Sequence, residues 1–314
     1  MLKKLIGNTP MVKIDYKFKD RLGSVYAKLE YYNYTGSIKD RLAFYIIKKA
    51  KDNGLLKEGQ PIVEATSGNT GISLAAVGAF YGHPVHIFMP EWASKERVEI
   101  MKLYGAKVYL VSKDVGFKGA IAQSKELAKK IGGFLTEQFD NELNVRMHYD
   151  WTALEIKKQL SGVDAFVSGV GTGGTLIGNA LGLKEKFKDI KIIAMEPEKM
   201  PLLSNGKIIG NHKIEGIGDD FIPGLYDKNL IDQIILINDD DAINMTRILA
   251  EKLGLGVGIS SGANFLASVL SGYDKVVTIF ADDFKKYLST DLVKTFAHEK
   301  FISNEVELLG MEII

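Results

Sequence analysis

The chain has 314 residues, about twice the usual single-domain length, so two domains are expected. A net charge of +1 supplies no field to attract nucleic acid or a membrane surface, and the 46% hydrophobic and 25% charged shares are ordinary for a globular protein. With no cysteine, disulfides and thiolate zinc sites are excluded; no metal site is expected, no apolar run reaches membrane-span length, and Met1–Pro10 lacks a signal-peptide core, so a cytoplasmic location is the default expectation.

In chain order the pattern predicts a strand at Val25–Glu30, a helix at Ser37–Asp52, a strand at Pro61–Thr66 and a helix at Thr70–Tyr81. Next come strand Val85–Pro90, helix Lys95–Tyr104, strand Lys107–Val111, helix Phe117–Lys130 and strand Phe134–Gln138. Helix Leu143–Leu160 is followed by strand Ala165–Val170, helix Gly174–Phe187 and strand Lys191–Pro197. The last elements are strand Gln233–Ile237, helix Asp239–Leu253, helix Gly262–Leu270 and strand Lys275–Ala281. Strands alternating with helices predict an α/β protein with mainly parallel central sheets. A boundary is expected near Asp140–Val145, where the run of short α/β units ends.

Open α/β sheets bind ligands beyond the carboxyl ends of their strands. Four such ends carry loops rich in Gly, Ser, Thr and Asn: Ala65–Gly71, Ser168–Thr175, Glu215–Pro223 and Gly256–Gly262. Gly171-Thr172-Gly173-Gly174-Thr175 follows a strand and opens a helix, a setting that suits a phosphate, although a plain tight turn has the same composition. Thr66-Ser67-Gly68-Asn69-Thr70 offers hydroxyls, an amide and helix N–H groups to a carboxylate; simple N-capping is the other reading. Lys39 falls in the first turn of a helix, where the dipole disfavours its charge and would lower its pKa, as Schiff-base chemistry needs. A solvated lysine beside Asp40 and Arg41 is the alternative. His83, His86 and His148 lack metal-ligand spacing and read as structural.

Taken together, Asn33–Arg41 around Lys39, Thr66–Gly71, Gly171–Thr175, Glu215–Gly218, Phe221–Pro223 and Gly258–Gly262 resemble, in order and spacing, the cysteine synthase/cystathionine β-synthase family. Ile6–Pro10 and Gln138-Phe139 match as well, and the resemblance runs to about Thr290. It implies the tryptophan synthase β-like fold, fold type II, with pyridoxal 5'-phosphate (PLP) in a cleft between two three-layer α/β domains. A smaller mobile domain over 35–145 would bind the substrate carboxylate, and 1–34 plus 146–314 would form the larger PLP-binding domain. It also implies a homodimer, with neither a haem-binding segment before residue 6 nor a regulatory domain after Thr290.

By resemblance, Lys39 is the Schiff-base lysine and the acid/base at Cα, and Asn69 bonds the cofactor ring hydroxyl. Gly171, Thr172, Gly173, Gly174 and Thr175 form the phosphate cup, and Ser260 sits beside the pyridine nitrogen. Thr66, Ser67, Asn69, Thr70 and Gln138 hold the substrate carboxylate. The implied reaction is β-elimination or β-replacement through α-aminoacrylate.

Asp219 is the informative departure, because the family usually has a small or aromatic residue there. A carboxylate near Cβ would repel hydrosulfide. It could protonate a departing thiolate, or deprotonate water or a thiol before attack, or simply point to solvent. The expected reaction is therefore on L-cysteine, releasing hydrogen sulfide and adding water or a thiol to give L-serine or a thioether. The alternatives are an O-acetylserine sulfhydrylase (cysteine synthase) making L-cysteine and a non-catalytic family member that binds a partner. Ala281-Asp282-Asp283-Phe284 also departs from the family, being less glycine-rich.

Overall fold

The structure, a computed structural model, describes residues 2–294 and 300–314. Met1 and 295–299, which the sequence reading assigns to the larger domain, lie outside the described residues.

Among the described residues, eleven strands form two sheets. The strands are β1 (Met11–Phe18), β2 (Arg21–Leu29), β3 (Ile62–Ala65), β4 (Val85–Pro90), β5 (Lys107–Val111), β6 (Phe134–Leu135), β7 (Ala165–Gly169), β8 (Lys191–Pro197), β9 (Gln233–Ile237), β10 (Lys275–Phe280) and β11 (Val306–Ile313). The helices are α1 (Lys39–Asp52), α2 (Asn69–Tyr81), α3 (Lys95–Leu103), α4 (Gly116–Ile131), α5 (Leu143–Met147), α6 (Ala153–Gln159), α7 (Gly174–Lys184), α8 (Leu202–Asn205), α9 (Asp239–Leu253) and α10 (Ile259–Leu270).

The four-stranded sheet has order β5-β4-β3-β6 and is wholly parallel. Ile62, Ile87 and Met89 pack on one face against Phe44 and Ile47 of α1, Ile72 of α2 and Met101 of α3. Val63, Ala65 and Phe88 pack on the other against Ala120 and Ala128 of α4. The seven-stranded sheet has order β11-β1-β2-β10-β7-β8-β9. One face, through Val25, Val167 and Ile193, covers α9 and α10; the other, through Phe166, Ile192 and Val277, covers α6 and α7. Each sheet is thus the middle of three layers, as buried parallel strands require.

Two strands escape the sequence reading. β1 and β11 pair antiparallel at one edge, and β1 also pairs antiparallel with β2. Val12, Ile14 and Tyr16 of β1 are buried between the more accessible Lys13, Asp15 and Lys17, a period-2 pattern. The predicted helix Leu143–Leu160 is one rod of α5, a π-helical turn at His148–Thr152 and α6. α10 begins at Ile259, three residues before the predicted start, so Ser260 lies in its first turn.

A buried ion network fixes where α1 begins. Arg41 donates from Nε to Glu30 Oε2 at 2.6 Å and from Nη2 to Glu30 Oε1 at 2.8 Å. It also donates from Nη1 and Nη2 to Glu155 Oε1 and Oε2, both at 2.7 Å, and Lys28 Nζ lies 3.0 Å from Glu155 Oε2. Arg41, Glu30 and Lys28 are fully out of solvent. Burial opposes ionisation of Glu155, yet Arg41 and Lys28 overcome it and hold this carboxyl down at about 2. The network ties α1 to Glu30, just past β2, and to α6 beneath the larger sheet. Arg41→Met leaves two buried carboxylates facing one lysine and should cost about 3–5 kcal/mol. A lowered urea midpoint at unchanged slope is the expected reading; a loss under about 1 kcal/mol would show that Lys28 alone holds both acids.

Candidate active site

The carboxyl ends of β3, β7 and β10 face one cleft between the two sheets. Its lining includes Lys39, Thr66, Ser67, Asn69, Thr70, Gln138, Gly171, Thr172, Gly173, Thr175, Asp219 and Ser260. Of the residues assigned from the sequence to cofactor, substrate or catalysis, Gly174 alone is not on this wall. It backs onto Asn144, whose Oδ1 would lie 2.2 Å from an added Cβ.

Lys39 opens α1 and donates its backbone N–H to Ser37 Oγ at 3.2 Å. Lys39 is half-buried and lines the cleft. Burial pulls its pKa down to about 8, against the pull of Asp219 and Asp282. Asp219 lies on the loop after Gly216 and Gly218, which have φ of 90° and 66°. Burial, reinforced by Asp220, pushes its carboxyl up to about 7, and Lys39 opposes that rise. The loop is held from both sides: Gly218 N donates to Val170 O at 2.9 Å, and His212 Nε2 lies 2.7 Å from Gly218 O.

The glycine loop meets the demands of a phosphate. A Cβ at Gly171 would stand 2.4 Å from Gly216 O, and Gly173 has φ +85°. The first turn of α7 leaves N–H groups without intrahelical partners. Neutral groups hold the loop in place. Asn144 Nδ2 donates to Thr172 Oγ1 at 2.9 Å, and Thr175 Oγ1 lies 3.1 Å from His148 Nε2. Burial holds His148 well below the usual histidine range, so its ring is neutral. Asn69 Oδ1 is buried with no partner among the described residues, and the hydroxyl-bearing Ser260 is 6% exposed. A depressed amine, a glycine cradle at a helix start, an orphan amide oxygen and a buried hydroxyl together fit PLP.

The loop between β3 and α2 is internally braced. Gly68 N donates to Thr66 Oγ1 at 3.0 Å, and Thr70 Oγ1 donates to Gln138 Oε1 at 2.6 Å. Gln138 Nε2 donates to Ala65 O at 2.9 Å. Behind it Glu64, unnoticed in the sequence, accepts from Thr136 Oγ1, from Ala65 N at 2.7 Å and from Gln138 N at 3.1 Å. Asn144 and Arg97 carry no signal in the sequence either, and the roles of His148, read as structural, and of Asp282 emerge only through partners distant in sequence.

The 281–284 segment now has an account. Asp282 accepts from Asn69 Nδ2 at 2.7 Å and from the Tyr287 hydroxyl at 2.8 Å. A Cβ at Gly258 would stand 2.0 Å from Asp282 Oδ1, and one at Gly256 would stand 2.4 Å from the Phe284 ring. The glycines of the 256–262 loop therefore admit bulkier neighbours than the family pattern usually carries there.

If Thr66–Thr70 and Gln138 receive a carboxylate, losing one hydrogen bond to that charged group costs about 1.5–3 kcal/mol. Gln138→Ala and Ser67→Ala should then each raise KM for the amino acid about 10- to 100-fold. Initial rates check this, and unchanged KM in both variants would remove the carboxylate role.

Comparison with known proteins agrees with this geometry. The family model for pyridoxal-phosphate dependent enzymes matches residues 2–282. Cysteine synthase of Staphylococcus aureus is 43% identical over 298 residues, covering 93% of this chain and 96% of that protein. A hydrogen sulfide-producing enzyme from Fusobacterium nucleatum superposes with TM-score 0.93 at 45% identity, covering 100% of this chain and 98% of that one. An Asp→Asn mutant of a hydrogen sulfide-producing enzyme, in a lysine-dimethylated form complexed with the α-aminoacrylate intermediate, reaches TM-score 0.95 at 45% identity over 99% of this chain and 98% of its own. This chain therefore belongs to the pyridoxal-phosphate dependent enzyme family and is a PLP enzyme of the cysteine synthase-like kind.

Proposed function

We propose that this enzyme acts on L-cysteine, releasing hydrogen sulfide by β-elimination and then adding water or a thiol at Cβ to give L-serine or a thioether. The observation that carries the reading is Asp219, a carboxyl held near neutrality on the cleft wall with Lys39. When bound, PLP supplies the electron sink for charge developing at Cα. The chain supplies position and protons.

Lys39 would carry the cofactor and, with the amino acid seated, takes the Cα proton. Its lowered pKa leaves a useful share of neutral amine near pH 8. Thr66, Ser67, Asn69, Thr70 and Gln138 hold the substrate carboxylate, while Gly171–Thr175 hold the cofactor phosphate, Asn69 the ring hydroxyl and Ser260 the ring nitrogen. A neutral serine at that nitrogen withholds the charge a carboxylate would provide, which favours elimination.

Asp219 closes the proton cycle. The sulfur leaves as hydrosulfide, an anion stable enough at neutral pH to depart without an acid, and takes its proton from solvent to become hydrogen sulfide. The Asp219 carboxylate then takes a proton from water or a thiol as the new bond forms at Cβ and later gives it up to solvent, and Lys39 returns its proton to Cα. A group with pKa near 7 is substantially deprotonated at neutral pH and can act as that base. Hydrosulfide is already anionic, needs no base and is repelled by the carboxylate. In a hydrogen sulfide-producing relative, an Asp→Asn mutant was obtained with the α-aminoacrylate intermediate, which is in keeping with an aspartate acting after elimination in that protein.

The cysteine synthase reading draws on the Staphylococcus relative and runs the other way, from O-acetylserine and sulfide to L-cysteine. Asp219→Asn separates the two. It should complete elimination but slow the addition step about 10²–10⁴-fold, with an accumulating absorbance band and little serine or thioether. The parent's addition rate should climb as pH passes through about 7, where Asp219 gives up its proton, and the variant should lose that limb. A variant that turns over L-cysteine like the parent would hand the reading to cysteine synthase. For the cofactor lysine, borohydride reduction of the parent should fix the pyridoxyl group at Lys39, and Lys39→Ala should trap none. An adduct mapped to another lysine would overturn that assignment.

A further inference from the structure

A second buried arginine joins the two sheets from the other side. Arg97 stands in the first turn of α3 and is 2% exposed. Its stem runs directly beneath Gly68, where an added Cβ would stand 2.0 Å from Arg97 Cδ, and Gly68 holds φ +154°. The loop offered to the substrate carboxylate therefore rests on this side chain.

The guanidinium crosses to the seven-stranded unit. Nη1 donates to Glu215 Oε2, Nη2 lies 3.8 Å from Asp282 Oδ2, and the group sits over Tyr287, 4.5 Å from the ring centroid. Asp282 is the residue that accepts from Asn69. Glu215 precedes Asp219 by four residues on the same glycine-rich loop. One side chain thus touches the carboxylate loop, the acid behind Asn69 and the start of the Asp219 loop. The nearby Ser289–Glu96 bond is exposed and contributes little to the same junction.

Holding two surfaces together does not require a buried cation. Apolar residues do so without the desolvation cost, and here Arg97 Nε has no partner among the described residues. What a guanidinium adds is geometry, a rigid planar fork that fixes the angles between anions and a ring.

We propose that Arg97 is a positioning residue that couples seating of the amino acid on Thr66–Thr70 to placement of the Asp219 loop, through Glu215. Gly68 moves with the loaded carboxylate and carries Arg97 with it. Glu215 follows Arg97, and Asp219 follows Glu215. The role rests on the reading of Asp219 as the acid/base group, and Asp219→Asn tests that reading separately.

The test uses the holoenzyme with L-cysteine, following both half-reactions by stopped-flow absorbance. Glu215→Gln keeps the size and removes the charge that Arg97 grips. It should slow addition on the order of 10-fold while elimination and KM stay within about 2-fold, since Gly68 keeps its support. Arg97→Met removes both links and should raise KM as well as slow addition, and Arg97→Lys should recover KM more than the addition rate. Thermal midpoints serve as the fold control, so an unfolded Arg97→Met leaves Glu215→Gln to decide. Equal slowing of both half-reactions by Glu215→Gln, or a KM rise with addition unchanged, would overturn the coupling. If Asp219→Asn behaves as the parent while Glu215→Gln still slows addition alone, the base reading falls and the loop coupling stands.

Discussion

Arg41 holds its guanidinium, wholly out of solvent, between the carboxylates of Glu30 and Glu155, two residues along α1 from Lys39. That contact determines the rest of the site. The helix carrying Lys39 packs against the four-stranded sheet, yet its first turn is pinned to residues of the seven-stranded one. With the amine fixed there, the cleft must form where both sets of strand carboxyl ends converge. Further backbone bonds reinforce the junction: Ile38 N donates to Ala281 O at 2.9 Å, beside a bridge between Ser37 and Asp282.

Charge is handled differently at the two ends of the cleft. Beneath α1 Arg41, Glu30 and Glu155 are paired and held firmly in their charged forms, which builds rigidity. Inside the cleft the half-buried Lys39 and Asp219 have no side-chain hydrogen-bond partner among the described residues, and their pKa values converge on neutrality, at about 8 and about 7. Such convergence suits proton transfer rather than architecture. Glu64 is a second acid raised to about 7, but it is saturated by Thr136, Ala65 and Gln138, so its role is to shape the loop that faces substrate.

Much of this was legible in the sequence because its carriers are local. A strand followed by Gly171–Thr175 and a helix states a phosphate-suited turn in five residues, and Thr66–Thr70 does the same for a carboxylate. The fold class followed from alternating elements. What stayed hidden depends on partners far along the chain. Glu64, Arg97 and Asn144 look unremarkable, and His148 and Asp282 have no legible role, until Gln138, Glu215, Thr172, Thr175 and Asn69 are brought beside them. β1, where Val12, Ile14 and Tyr16 alternate with charged residues, lacks the continuous apolar run that marks buried parallel strands and so stands out less in the sequence. β11 has less to read, since most of its residues are solvent-exposed at the sheet edge.

The central claim is that Asp219 directs the enzyme away from hydrosulfide as a nucleophile and toward release of hydrogen sulfide. The most direct measurement compares kcat/KM for sulfide release from L-cysteine with kcat/KM for cysteine formation from O-acetylserine and sulfide, using one preparation at pH 7. The account predicts that release from L-cysteine is the faster reaction. Cysteine formation that outpaces it would contradict the account.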